Sequence, residues 1–465
     1  MLKGAIAWSG DRRGQMVGGP RWVITRQSRS VQSSSERDPG EQYMTLPSEQ
    51  SEAAAEAGGL VRATELIISG VLRGGVMLSA AIILVGVAYF YALSLTGHTI
   101  NLTFPHTIPA VFQGLAHAQP LAIVALGLLV LLATPVLRVA VSILAFAVEH
   151  DRTYVVVTTI VLMTLLFSIV VVGGLLGHGA HAHVLHSGVS FFVLVFLGSL
   201  FAGFVGSLVG LGGGVFIVPL LTIAFGVPIQ AAIGASIVSV IATSSGAAAA
   251  YVRDRMTNLR VGMFLEIATT IGAISGALLA TIVNSAVLFV VFGLVLLFSV
   301  LPLVVHLGEE LPAGVRNDRF SKALRLASSY PDQRLGRTVS YEVTGVPPGF
   351  GMMYIAGAIS GLLGIGSGTF KVLAMDTAMR LPMKVSTTTS NFMIGVTAAA
   401  SAGIYFQRGD IDPVTAAPVA LGVLLGATVG AVTLPRLSNS WVRKVFIPVI
   451  VLVAVEMLLR GVGVL

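Results

Sequence analysis

Apolar runs of about twenty residues recur along most of this 465-residue chain, and stretches such as Val155 to Gly174 and Val442 to Leu459 are apolar on every side. A helix rising about 1.5 Å per residue needs about 20 such residues to cross a hydrocarbon core of about 30 Å. Only 11% of the side chains are charged and 55% are apolar, with a mean hydropathy of +0.90, against about 25% charge in an average soluble domain. A water-soluble fold is therefore excluded. A membrane barrel would show short alternating segments instead. The expected fold is all-α: a polytopic transmembrane helix bundle whose spans satisfy their own backbone hydrogen bonds.

The net charge of +7 does not point to nucleic acid, because Lys and Arg of a membrane protein collect in cytoplasmic loops for topological reasons. The N-terminal tail, the loop Arg253 to Arg260, the linker Arg316 to Arg337 and the segment Arg436 to Lys444 are basic and are expected inside. The segments near 95 to 118 and 177 to 190 hold no Lys or Arg and are expected outside. This places a multi-pass protein in the cell (inner) membrane with its N-terminus cytoplasmic. With no cysteine in the chain, disulfides and thiolate metal sites are absent.

Five regions follow. Residues 1–65 read as a disordered cytoplasmic tail, rich in Ser, Glu, Gln and Arg. Residues 66–185 hold three apolar segments, near 70 to 95, 119 to 148 and 154 to 176, a three-span accessory membrane domain. The second contains Pro135, which removes a backbone donor and should kink its helix. Arg138 also lies within it, and two roles are open: a snorkelling side chain at the cytoplasmic face, or a buried ion-pair partner for Glu149 or Asp151. The remainder comprises a first repeat over 186–306, a basic linker over 307–348 and a second repeat over 349–465.

The repeat emerges when the sequence is slid on itself by 154 positions. Gly203, Leu208, Gly210, Gly212, Gly214, Phe216, Pro228, Ser236, Thr243, Tyr251, Gly272 and Gly276 are among those that find the same residue 154 places later. The turn Arg253 to Arg260 is basic, while its partner, Gln407 to Val414, carries one Arg and two Asp. Opposite charge implies opposite sides, hence two inverted-topology repeats, an arrangement characteristic of secondary transporters.

Gly210-Leu211-Gly212-Gly213-Gly214 and its echo Gly364-Ile365-Gly366-Ser367-Gly368 cannot remain stable helix, since each Gly costs about 1 kcal/mol relative to Ala. Within a bilayer such Gly-broken, re-entrant helices are tolerated only where protein or a watery cavity covers the freed backbone. The helix restarting beyond each break points its N–H groups at the glycines, an environment that suits an anion. Close helix packing through small residues is the competing role. After each break comes a proline followed by hydroxyl side chains: Pro228 with Ser236, and Pro382 with Thr389, Ser390 and Asn391, which either cap a helix or line a substrate.

Lys371 stands amid apolar neighbours, a point-charge partner for an anion or a neighbour paired with Asp376. Glu266 and Asp376 are candidate proton-coupling residues, with an interfacial position as the plainer alternative for Glu266. His178, His181, His183 and His186 crowd one expected external loop without companion acids, so no metal site is expected. No cofactor is expected either. With no HExxH, GxSxG or P-loop sequence, nothing suggests an enzyme.

The paired glycine breaks, the proline and Ser-containing helix start after each, and the run Thr389-Ser390-Asn391-Phe392-Met393-Ile394-Gly395-Val396-Thr397 together resemble the TauE/SafE family of sulfite-exporter-like membrane proteins, over roughly residues 190 to 465. Ser367 stands where that family has glycine. Residues 70 to 176 resemble a three-span domain of unknown function found fused in front of such modules. The resemblance implies a secondary transporter, an exporter of small sulfur-containing anions such as sulfite or organosulfonates. On this reading Gly210, Gly212, Gly213, Gly214, Gly364, Gly366, Ser367 and Gly368 form the unwound backbone at the site. Ser236, Thr389, Ser390 and Asn391 donate hydrogen bonds, and Lys371 is a countercharge. The expected partners are a small anion and the lipid bilayer, with room for a homo-oligomer. The alternative is a membrane sensor that uses the repeats as a scaffold.

Overall fold

The computed structural model describes residues 48–96, 104–176, 188–209, 213–253, 256–304, 312, 314–332, 336–433 and 439–464. Expectations for residues 1–47, for the histidine loop around 178 to 186, and for Gly210 and Gly212 lie outside these. Sixteen helices account for nearly all of the described structure, so the protein is an all-α polytopic bundle. Among the described residues, eight helices are long and apolar enough to cross a membrane. Their outward residues, including Leu78, Leu144, Phe201 and Leu425, are large, apolar and exposed, as a lipid-facing surface requires.

The first group comprises α1 (Ser48–Leu95), the short α2 (Ile108–Ala116), α3 (Pro120–Val148) and α4 (Arg152–Phe167), which runs on through a π-helical turn, Ser168–Val172, into α5 (Gly173–Leu176). Pro135 sits inside α3 without ending it. The neighbouring Thr134 hydroxyl donates to the Val130 carbonyl at 3.0 Å, one of the local adjustments by which a proline is carried within a span.

Next come α6 (Val189–Val209), α7 (Gly214–Pro219), α8 (Ile229–Arg253), α9 (Leu259–Ile282) and α10 (Ser285–Val304). A compact segment follows, with α11 (Arg319–Ala323) and a hairpin of β1 (Ser328–Asp332) and β2 (Arg337–Tyr341), antiparallel with Tyr330 opposite Val339. This small sheet was not anticipated; its alternation is short and falls in a stretch read as linker. It packs on the turn before α9, where Asn258 Nδ2 donates to Leu326 O and Tyr341 Oη at 2.9 Å each. Burial pushes the Tyr341 phenol up to about 12, so it accepts that bond as a neutral hydroxyl. The chain ends with α12 (Val346–Leu363), α13 (Gly368–Leu373), α14 (Met383–Gln407), α15 (Pro413–Thr433) and α16 (Asn439–Gly461).

The starts of α7 and α13, Gly214 and Gly368, are 154 residues apart, and so are those of α8 and α14, α9 and α15, and α10 and α16. A π-helical turn follows both α7 and α13, over Leu220–Ala224 and Ala374–Ala378. Packing is reciprocal: α6 lies on α15 while α12 lies on α9, and α8 faces α14 as α10 faces α16. The α9–α12 contact is so close that a Cβ added to Gly272 or Gly276 would overlap the carbonyls of Tyr354 or Ala358. At the α6–α15 contact, Gly422 and Gly426 meet the carbonyls of Phe196 and Leu200 in the same way. Small residues let spans approach where no hydrophobic force separates helix from lipid.

Candidate functional site

At the second break the helix stops as the glycine pattern requires. Gly364 caps α12 in the left-handed region at φ 68°, and Gly366 and Ser367 follow at 73° and 48°. For Ser367, which carries a Cβ, this conformation costs about 1 kcal/mol or more. Its Oγ is buried and has no hydrogen-bond partner among the described residues. Gly368 then opens α13.

The start of α7 meets the second break. A Cβ on Gly214 would lie 3.1 Å from the Gly364 carbonyl and 2.8 Å from Ser236 Oγ. Ser236 on α8 is fully buried; its hydroxyl lies 2.8 Å from the Gly364 carbonyl and 3.2 Å from that of Gly214, so one proton links the start of α7 to the second break. The equivalent Ser390 on α14 donates to the Gly368 carbonyl at 3.1 Å. These hydroxyls hold the unwound backbone and do not cap a helix, since α14 begins after Pro382 without a side-chain cap. Thr389 is buried and accepts the Asn258 backbone N–H at 3.1 Å, and Asn391 is half-buried in the same helix. Gly213 stands directly before α7 as its N-cap.

Beside the breaks lies a chain of buried charges. Lys371 on α13, 0% exposed, donates from Nζ to Thr397 Oγ1 at 2.5 Å; that hydroxyl is 2.9 Å from Glu266 Oε1 and donates to it. Glu266, on α9, is 1% exposed, and its Oε2 has no hydrogen-bond partner among the described residues. The interfacial alternative for Glu266 is thereby corrected: α9 carries it into the bundle. The Lys371–Asp376 pairing is also replaced, because Lys371 is turned toward α14 and interacts with Glu266. Asp376 is buried in the π-helical turn after α13, with Oδ1 unpartnered among the described residues.

Arg138 requires a third correction. It neither snorkels nor pairs with Glu149 or Asp151, because α3 runs against α8, α14 and α15 and buries the side chain completely. Asp151 instead meets Arg260 of α9 at 2.9 Å. The Arg138 guanidinium stacks over the Phe392 ring, with Cζ 4.2 Å from its centroid, and interacts electrostatically with Glu266.

Thr397 and Arg138 were missed as site residues, although both left a signal. Thr397 repeats Thr243 at the 154 offset and closes the run that begins at Thr389. Arg138 was visible as a charge inside an apolar segment, but its neighbours belong to helices more than a hundred residues away. The charged cluster also breaks the repeat, since Ile217 and Ala420 stand at the positions equivalent to Lys371 and Glu266. Among the described residues, no group of three or more His, Asp or Glu could hold a metal ion.

Comparison with known proteins places these features. The family described as "Sulfite exporter TauE/SafE" matches residues 194–457, and a family described as a protein of unknown function, DUF1634, matches residues 68–170. The "Probable membrane transporter protein YunE" of Bacillus subtilis (strain 168) is 28% identical over 280 residues, 59% of this chain and 99% of the relative. A second from the same organism, the "Probable membrane transporter protein YdhB", is 26% identical over 241 residues, 51% of this chain and 87% of its own. The "Probable membrane transporter protein ORF9" of Sinorhizobium sp. is 25% identical over 271 residues, 57% of this chain and 90% of its own. No solved structure matches.

Proposed function

Since this chain belongs to the sulfite exporter TauE/SafE family and is a membrane transporter of that kind, we propose that it exports a small sulfur-containing anion, such as sulfite or an organosulfonate, across the cell (inner) membrane. The observation that carries this reading is the meeting of the start of α7 with the break at Gly364 through Ser236, with a buried Lys371–Thr397–Glu266 chain beside them. Freed backbone groups and a buried cation are what a desolvated anion needs. Gly213, Gly214, Gly364, Gly366, Ser367 and Gly368 supply the backbone, with Gly210 and Gly212 on the same stretch. Ser236, Thr389, Ser390 and Asn391 supply side-chain donors as the breaks rearrange. Glu266 is the proton-coupling residue, and Asp376 is a second proton site on the arm that carries Lys371.

The two repeats are inverted, and alternating access is their rocking about the breaks. The test is flux of radiolabelled sulfite and of a radiolabelled sulfonate in proteoliposomes under an imposed pH gradient. The wild-type chain moves at least one of them in saturable fashion. Failure of both, against a working transport control, removes the substrate class and leaves the fold standing.

A further inference from the structure

We propose that the fused N-terminal domain completes the anion site: Arg138, from the segment matched by the family of unknown function, is a ligand of the transported oxyanion. The inference rests on the anion-transport reading above and adds a residue that lies outside the duplicated unit.

Three observations carry it. First, Arg138 is 0% exposed, yet its Nε, Nη1 and Nη2 all lack a hydrogen-bond partner among the described residues. A guanidinium presents five donors in a planar fork, and burying them unpaired is costly unless an anion takes them up. Second, the guanidinium stacks on Phe392 on one face and lies beside Gly395, where an added Cβ would come 3.7 Å from its Nη2, so no side chain of its own stands at that position against the fork.

Third, the charges do not balance. Among the described residues Arg138 and Lys371 share one acidic electrostatic partner, Glu266, and its Oε1 is already engaged by Thr397. One positive charge is left over, which a monoanion would neutralise; with Glu266 protonated, the excess is two and suits a dianion. The ligand class is therefore a small oxyanion with at least two oxygens for the fork, and its charge is linked to the proton on Glu266.

The experiment uses the full chain, purified and reconstituted, with sulfite as the probe. Half-saturating sulfite for flux and sulfite-dependent thermal stabilisation are measured for wild type, Arg138→Gln and Arg138→Lys. Arg138→Gln should raise half-saturation at least tenfold and abolish the stabilisation. Arg138→Lys, keeping the charge but not the fork, should fall between. Wild-type half-saturation in a folded Arg138→Gln overturns the proposal while leaving the transport reading intact. If the Gln variant does not fold, the Lys variant decides, and unchanged half-saturation there overturns it equally. Recovery of wild-type half-saturation in Arg138→Gln/Glu266→Gln would reduce Arg138 to a counter-ion of Glu266 and also overturns it. A wild-type chain that shows neither flux nor stabilisation with sulfite or a sulfonate removes the substrate class on which the inference rests.

Discussion

At the scale of single residues, the site is a contest between desolvation and pairing. Lys371 and Glu266 remain in the bundle because Thr397 bridges them, accepting from one and donating to the other. Removing one partner of a buried pair leaves the other uncompensated. Lys371→Met should lower sulfite flux at least tenfold in proteoliposomes while the protein still purifies as a monodisperse species. Glu266→Gln, which keeps shape and loses the titrating proton, should leave flux insensitive to an imposed pH gradient; a preserved pH response would move proton coupling elsewhere, with Asp376 the next residue to test. Ser367 sits in the left-handed region at φ 48°. Ser367→Gly relieves about 1 kcal/mol of backbone strain and returns part of it as unfolded-chain entropy, so a small rise in melting temperature is expected.

At the scale of elements, two close helix pairs frame the breaks, α6 with α15 and α12 with α9. Both rely on glycines set against a neighbour's carbonyls, so bulk there cannot be absorbed by a rotamer change. Gly276→Val and Gly426→Val should each lower the melting temperature in detergent and the yield of folded protein. Gly351→Ala, at a position with nothing within 4 Å of an added Cβ, should do neither. This difference separates packing from a general intolerance of glycine loss. The break at Gly364 to Gly368 was legible in the sequence because glycine composition dictates it locally. The hydroxyls of Ser236 and Ser390 were legible only as donors, since the carbonyls that accept from them are brought up by the tertiary fold.

At the scale of the molecule, the N-terminal group is packed into the transporter and not merely tethered to it. Beyond α3 among the repeats, the Tyr154 hydroxyl donates to the Leu324 carbonyl at 2.7 Å, Gln407 Nε2 donates to Ile169 O at 2.5 Å, and Asp151 meets Arg260. Arg260 is about a third exposed, so Asp151→Asn should cost no more than about 1 kcal/mol and leave sulfite flux near wild type. Topology is tested at this scale too. Reporters inserted after Asn258 and after Gly409 should lie on opposite sides of the membrane; the same side for both would end the inverted-repeat reading.

Sequence alone determined what depends on local or periodic chemistry. Apolar length made the bundle, glycine density stopped the helices, and a constant offset tied the starts of α7 to α10 to those of α13 to α16. The tertiary structure alone decided which buried charges meet. Along the chain Lys371 offered only Asp376 as a neighbouring acid, and across it the fold supplies Thr397 and Glu266. Arg138 was read as either snorkelling at the cytoplasmic face or paired with Glu149 or Asp151, and instead stacks on Phe392 inside the bundle. The reason is physical: inside a bundle a charge must find its partner among the helices packed around it, and spacing along the chain does not encode which helices those are.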